Sequence, residues 1–197
     1  MRKGICVPMM TLCLLFCGGC GEKAEEASDL REAYREMTAA VCEAVVTATQ
    51  GDQVWEAALR CSYTPEKTTV DVLAPENIAG VRAVIRGEEL TLEYEELCLD
   101  AGTVSREEIS PMTCLPRLIN ALREGWLLEE NEEVWQEEPC LRLTLDQSGK
   151  ETKILSTIWL RQSDGTPVRG ELSVDEEIIL TAEFTSFTFC DNIVQES

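Results

Sequence analysis

Most of the chain after Gly51 alternates between apolar and polar residues with a period of two. The clearest run covers residues 55–63, where apolar side chains at odd positions stand between polar neighbours, as in a half-buried strand. Strand-like runs also cover residues 68–73, 81–85, 89–97, 141–145, 152–160, 168–174 and 178–189. Short turns such as Arg86-Gly87 and Asp164-Gly165 separate some of them, which favours antiparallel neighbours. The pattern predicts about eight antiparallel strands.

Two segments have the spacing of an amphipathic helix instead. Residues 29–50 carry apolar side chains three and four positions apart, after a possible capping box formed by Asp29 and Glu32. A second helix is predicted over residues 114–124, with Thr113 as its cap and Gly125 as its end. We therefore expect an α+β fold: one strongly curved antiparallel sheet, a half-barrel, covered on one face by an N-terminal helix and an inserted helix.

The first residues have the features of an export signal. Arg2 and Lys3 precede an uncharged stretch over residues 4–21, and the stretch ends in Cys17-Gly18-Gly19-Cys20. This ending resembles the lipobox of bacterial lipoproteins, although leucine is usual at the position of Cys17. The resemblance implies that Cys20 receives a diacylglyceryl group and becomes the mature N-terminus. We therefore expect a signal peptide over residues 1–19, an acylated tether over 20–28 and one domain over 29–197, on the outer face of the cell membrane.

Two other interpretations of the leader are weaker. An uncharged stretch of this length is at the lower limit for a membrane-spanning helix, but Pro8 and the Gly18-Gly19 pair disfavour a continuous helix. A redox role for Cys17 and Cys20 would require a thioredoxin-like βαβ unit, and the strand pattern does not indicate one.

Charge and composition exclude several kinds of function. The chain has 37 acidic and 17 basic side chains, a net charge of −20 that becomes −22 once Arg2 and Lys3 leave with the signal peptide. Such a charge repels nucleic acid and anionic lipid headgroups. The chain has no histidine, so Ser-His-Asp and Cys-His catalysis and imidazole-based metal sites are excluded. The acidic residues lack the spacing of an EF-hand, and we predict neither a metal nor a cofactor.

Six cysteines lie beyond the lipobox and leave two alternatives open. They are Cys42, Cys61, Cys98, Cys114, Cys140 and Cys190. An exported chain could join them in three disulfides. Their wide spacing is equally compatible with buried free thiols.

The order of elements behind the lipobox resembles the LolA/LolB lipoprotein-carrier superfamily, and more closely the GerS-type sporulation and germination lipoproteins of Firmicutes. The segments that carry the resemblance are Tyr63-Thr64-Pro65, residues 74–81, Ser110-Pro111 and Phe184-Thr185-Ser186-Phe187. The resemblance implies an open half-barrel whose concave face holds acyl chains in the carriers, whereas GerS-type proteins act through protein partners. No ligand residue transfers by motif.

Four aromatic residues on predicted strands are candidates for ligand or partner contact. They are Trp55, Tyr94, Trp159 and Phe184. A curved sheet could turn them towards the helices and form an apolar cleft, although aromatic residues in strands usually belong to the core.

The sequence favours a non-catalytic lipoprotein that binds an envelope protein or an acyl-chain ligand beside the membrane, in sporulation or germination if the GerS likeness holds. One alternative is a cell-wall or glycan hydrolase that uses a pair of carboxylates, because Asp and Glu are plentiful. Another is a lipid or lipoprotein carrier. A deep apolar cavity would support a carrier, and a convergent acidic pair in a groove would support an enzyme. A filled core with an exposed apolar patch would support a partner-binding protein.

Overall fold

A computed structural model describes residues 30–51, 53–104, 109–149 and 152–190. The predicted signal peptide, Cys20 and the tether lie outside these residues. Among the residues described, no helix combines the length and apolarity needed to cross a membrane.

The chain forms eleven strands and two helices within the described ranges. Helix α1 covers residues 30–36. The strands before the second helix are β1 Ala39–Gln50, β2 Gln53–Tyr63, β3 Thr68–Ala74, β4 Arg82–Arg86, β5 Glu89–Tyr94 and β6 Leu97–Thr103. Helix α2 is Pro111–Glu124, and the remaining strands are β7 Trp126–Trp135, β8 Glu138–Asp146, β9 Ile154–Arg161, β10 Pro167–Val174 and β11 Glu177–Cys190.

All eleven strands belong to one sheet in the order β6-β5-β4-β3-β2-β1-β11-β10-β9-β8-β7, and every pairing is antiparallel. The sheet is open, with β6 and β7 at its edges. Helix α2 contacts seven strands that are adjacent in the sheet: β3, β2, β1, β11, β10, β9 and β8. Seven flat strands would span about 29 Å, more than the roughly 21 Å length of a 14-residue helix. The sheet therefore curves around α2, as predicted.

The prediction of one helix over residues 29–50 is wrong beyond residue 36. Residues 39–50 form β1, which pairs with β2 on one side and β11 on the other. Cys42, Ala44 and Val46 are buried towards the helices, while Val41 and Val45 are half-buried on the other face. A central strand that is apolar on both faces also places apolar residues three and four positions apart, so it imitates a helical pattern. The β-branched residues of this segment favour the strand.

The predicted count of about eight strands is also too low, because β1, β6 and β7 were missed. The run predicted over residues 89–97 is divided by a turn at Glu95, whose φ is +52°, and continues as β6. The turn could not be predicted from the sequence, because Glu95-Glu96 contains neither glycine nor proline. Strand β7 contains four glutamates and therefore lacks clear alternation, as an edge strand with little buried surface can.

Helix α2 is longer than predicted, and its N-cap is Ser110 rather than Thr113. Ser110 is extended and precedes Pro111, whose fixed φ suits the first helical position. Thr113 contributes from the third position, where its Oγ1 accepts the Ser110 N–H at 3.1 Å. The buried face of α2 includes Leu115, Leu118, Ile119 and Leu122. Each such side chain contributes about 1.5–3 kcal/mol by leaving water, so α2 is a principal part of the core.

Candidate binding site

The concave face of the sheet is occupied by the two helices. Leu115, Leu118 and Leu122 of α2 are fully buried against strands that curve around them. A Cβ atom at Gly170 on β10 would lie 2.5 Å from Leu118 Cδ1, so helix and sheet are in close contact there. Side chains therefore fill this part of the concave face. The resemblance to the LolA/LolB superfamily had implied that acyl chains could be held on this face.

Two arginines fasten the helices to each other. Arg31 on α1 donates from Nε to the Leu122 carbonyl at 3.0 Å and from Nη2 to the Gly125 carbonyl at 2.6 Å. Arg123 on α2 donates from Nη1 to the carbonyls of Tyr34 and Met37, both at 2.7 Å. Each arginine thus satisfies carbonyl groups at the C-terminal end of the other helix, where a positive charge is also favourable. Burial, with a smaller contribution from Arg35, lowers the pKa of Arg31.

A groove of about 540 Å³ lies along α2, between the ends of strands from the two halves of the sheet. We call it the seam groove. Its lining residues from the sheet and loops are Tyr63, Pro65, Ile85, Gly87, Val104, Gly125, Trp126, Asp146, Gln147 and Ser148, and those from α2 are Thr113, Pro116, Arg117, Asn120, Arg123 and Glu124. The volume is within the range of small-molecule sites, but the lining mixes charged, polar and apolar groups. The seam groove is therefore not a typical acyl-chain pocket.

Hydrogen bonds fix several groups around the seam groove. Tyr63 donates its hydroxyl to Asn120 Oδ1 at 2.5 Å, and Gln147 Nε2 donates to the Arg117 carbonyl at 3.2 Å. Burial lowers the pKa of Arg117. Hydrogen bonds from Ser148 lower the pKa of Asp146. The lowered pKa favours the ionised form of Asp146, which suits the nucleophile or base of a glycosidase pair and not its proton donor.

The four predicted aromatic contact residues do not converge on one cleft. Trp55 and Phe184 are half-buried and pack against the core. Trp159 is only 7% exposed and alternates with the core residues Ile158 and Leu160, so it projects from the outer face of the sheet. Tyr94 is 43% exposed on β5 near the sheet edge.

Trp159 belongs to a packed cluster on the outer face. Its indole N–H donates to Glu133 Oε2 at 2.8 Å, and its ring lies 6.0 Å from that of Trp135. The Arg169 guanidinium lies 4.5 Å from the Trp135 ring centroid and forms a 2.8 Å ion pair with Glu171. These satisfied contacts are typical of a structural role.

An exposed apolar patch lies at the β6 edge of the sheet. Leu97 is 72% exposed and Leu99 is 63% exposed, and Leu97 lies directly opposite Tyr94 on β5. Leu99 lies opposite Leu92, which packs against the core, so these side chains share the helix-side face. We call Tyr94, Leu97 and Leu99 the β6 edge patch. Tyr94 was predicted as a contact residue and the two leucines were not, although the alternation of Leu97 and Leu99 around Cys98 is a visible pattern in the sequence.

The fold is found in other proteins, whereas no family model and no curated protein match the sequence. An uncharacterized conserved protein from Thermus thermophilus aligns with a TM-score of 0.51 at 14% identity, over 86% of this chain and 89% of that one. LprF from Mycobacterium bovis aligns with a TM-score of 0.50 at 9% identity, over 85% and 93%. The chain shares its fold with these proteins. A LolA superfamily protein from Nitrosomonas europaea aligns at 12% identity over 87% and 95%, with a lower TM-score of 0.47.

The predicted architecture is confirmed in its main features. The chain has an open, curved antiparallel sheet with two helices on one face, as the resemblance to the LolA/LolB superfamily implied. At these identities the comparisons concern the fold alone and transfer no ligand, partner or activity.

Proposed function

We propose that this chain is a non-catalytic, exported lipoprotein that is anchored through Cys20 and binds a protein partner at the cell envelope. The observation that carries the proposal is the β6 edge patch, where Leu97 and Leu99 present apolar side chains to solvent beside Tyr94. Exposed apolar side chains that share one face are typical of interaction sites. The anchor and the partition into residues 1–19, 20–28 and 29–197 rest on the leader sequence. We further propose that the chain acts in sporulation or germination, as GerS-type lipoproteins do.

Partner binding is favoured over acyl-chain transport by the packing of α2. Leu115, Leu118 and Leu122 occupy the concave face, and the contact of Leu118 with Gly170 leaves no room between helix and strand there. An acyl chain could enter this part of the concave face only by displacing the helix, at the cost of its buried apolar surface.

Hydrolysis has weaker support than partner binding. Glu124 and Asp146 both line the seam groove, and the lowered pKa of Asp146 suits only the ionised member of a glycosidase pair, so the general acid would have to be another residue. A second candidate function is binding of a small polar ligand in the seam groove, favoured by its volume of about 540 Å³ and its mixed lining.

The test is purification of the tagged full-length chain from membranes after mild cross-linking, followed by mass spectrometry of bound protein and bound lipid. We compare the wild type with the double variant Leu97→Lys/Leu99→Lys and with the control Val54→Lys. Val54 is 69% exposed on β2 and is not part of the patch, so its substitution adds one positive charge elsewhere, against two in the double variant.

The proposal expects a stoichiometric protein partner with the wild type and with Val54→Lys, and its loss with the double variant. If all three chains captured the same protein equally, the β6 edge patch would not be the partner-binding site. Stoichiometric acyl lipid without a protein would support the carrier alternative instead.

A further inference from the structure

The β6 edge patch lies on a strand whose backbone is available for pairing. Within the described residues β6 pairs only with β5, so its outer edge can accept another strand. Near the end of β6, the Asp100 carboxylate accepts the Gly102 N–H at 2.9 Å, and Gly102 has a φ of +86°. This local turn limits regular pairing to about residues 97–101.

The two faces of this edge differ in chemistry. The helix-side face carries Leu97 and Leu99, and the outer face carries Cys98 and Asp100. Glu93 lies opposite Cys98 and adds a second carboxylate to the outer face. Arg82 lies opposite Glu93 on β4 and interacts with its charge, but the Arg82 guanidinium also forms a 2.6 Å ion pair with Asp71, so acidic groups still outnumber this one arginine. The outer face therefore favours a cationic neighbour.

We propose that β6 accepts an extended segment of a partner protein in which apolar and basic side chains alternate, added to the sheet as a twelfth strand. This inference rests on the proposed function and specifies its partner. Apolar residues of the segment lie beside Leu97 and Leu99, and Lys or Arg lies beside Asp100, with Glu93 one strand further into the sheet. Main-chain hydrogen bonds hold the segment, while the alternating side chains select its register.

Charge selects this occupant over two others. A second copy of the chain would bring another net charge of −20 to the same edge, where the exposed turn residues Glu95 and Glu96 add to the repulsion. An anionic lipid headgroup is repelled for the same reason. A basic segment is attracted, and the attraction should weaken as salt screens it.

The test measures binding of fluorescent heptapeptides to the purified full-length chain. One peptide alternates lysine with valine, a second has the same composition in two blocks, and a third replaces lysine with glutamate. The alternating lysine peptide should bind, and its affinity should fall as salt rises. Leu97→Lys/Leu99→Lys should weaken it by about tenfold or more, and Val54→Lys should leave it unchanged.

Cys98 provides an independent measure of register, because it is exposed on the outer face of β6. A peptide that carries a thiopyridyl disulfide at a basic position should react with it. The Cys98 thiolate attacks the peptide sulfur, a new disulfide forms, and pyridine-2-thione leaves. The same group at an apolar position should react much more slowly, and Cys98→Ser should abolish the product.

Equal binding of the alternating and block peptides, or equal reaction at both positions, would overturn strand addition. The proposed function would survive that result if membrane capture still depended on Leu97 and Leu99. If membrane capture did not depend on Leu97 and Leu99, the proposed function itself would be contradicted. The two failures can therefore be distinguished.

Discussion

The contact between Gly170 and Leu118 gives a sharp test of the packing that fills the concave face. A methyl group at residue 170 would meet Leu118 Cδ1 at 2.5 Å, Cδ2 at 3.0 Å and Cγ at 3.3 Å. Carbon atoms at optimal contact lie about 3.5–4.0 Å apart, so the overlap is about 1 Å. Leu118 is buried and has little freedom to move away. We expect Gly170→Ala to lower the free energy of unfolding by about 1–3 kcal/mol.

The substitution should behave differently when Leu118 is shortened. Leu118→Ala alone should cost about 2–5 kcal/mol, because it leaves a cavity in the core. It also removes the three atoms that Gly170→Ala would overlap. In the Leu118→Ala background we therefore expect Gly170→Ala to change stability by less than about 0.5 kcal/mol, or to stabilise by up to about 1 kcal/mol. The coupling energy should be about 1–3 kcal/mol.

Urea denaturation followed by tryptophan fluorescence measures the free energy of unfolding of each variant in this double-mutant cycle. The m-value, the slope of this free energy against urea concentration, should be the same for all variants. Leu59→Ala is the matched control, because Leu59 is buried on β2, three strands from β10 and roughly 14 Å away. Its cycle with Gly170→Ala should be additive within about 0.5 kcal/mol. Additivity in the Leu118 cycle would refute close packing of α2 on β10, and with it the argument against an acyl-chain cavity.

Three further outcomes are expected. Arg31→Met should lower the free energy of unfolding by about 2–3 kcal/mol in chemical denaturation, since it leaves the last carbonyls of α2 without their charged donor. Denatured, unreduced protein should react with thiol reagent at all six cysteines that follow Cys20, because all six are free, whereas native protein should react fastest at the exposed Cys98; reaction of two or fewer of these six after denaturation would establish disulfides. Cys20→Ala should accumulate as unprocessed precursor without fatty-acid label, and persistent labelling would contradict the anchor.

The strands that pair through clear alternation were predictable from sequence. Strands β2, β3, β4, β8, β9, β10 and β11 each cover a predicted run within a few residues. In each of them, burial of one face fixes the alternation. The pattern fails where burial does not distinguish the two faces of a strand. Strand β1 carries apolar side chains that are at least half-buried on both faces, and the edge strands β6 and β7 are largely exposed. These three strands account for the difference between the predicted and observed counts.

The candidate site was less predictable than the fold, because it depends on which side chains the folded sheet leaves uncovered. Tyr94 and Trp159 look alike in sequence, each being an aromatic residue on a strand. The fold exposes Tyr94 at an edge and buries Trp159 with Trp135 and Arg169. Gly170 did carry a usable signal, since an isolated glycine within a strand often marks the close approach of another element.

The central pairing of β1 with β11 has a consequence for the order in which the chain can fold. Nine of the ten strand pairings join consecutive strands, and each of these can begin soon after its own residues are available. The tenth brings the two ends of the domain together: Thr38 donates to the Cys190 carbonyl across 152 positions of sequence. Closing a loop of that length makes this step slow compared with hairpin formation. The two halves of the sheet therefore remain unjoined until β11 has been synthesised, and until then one edge of β1 has no strand to pair with.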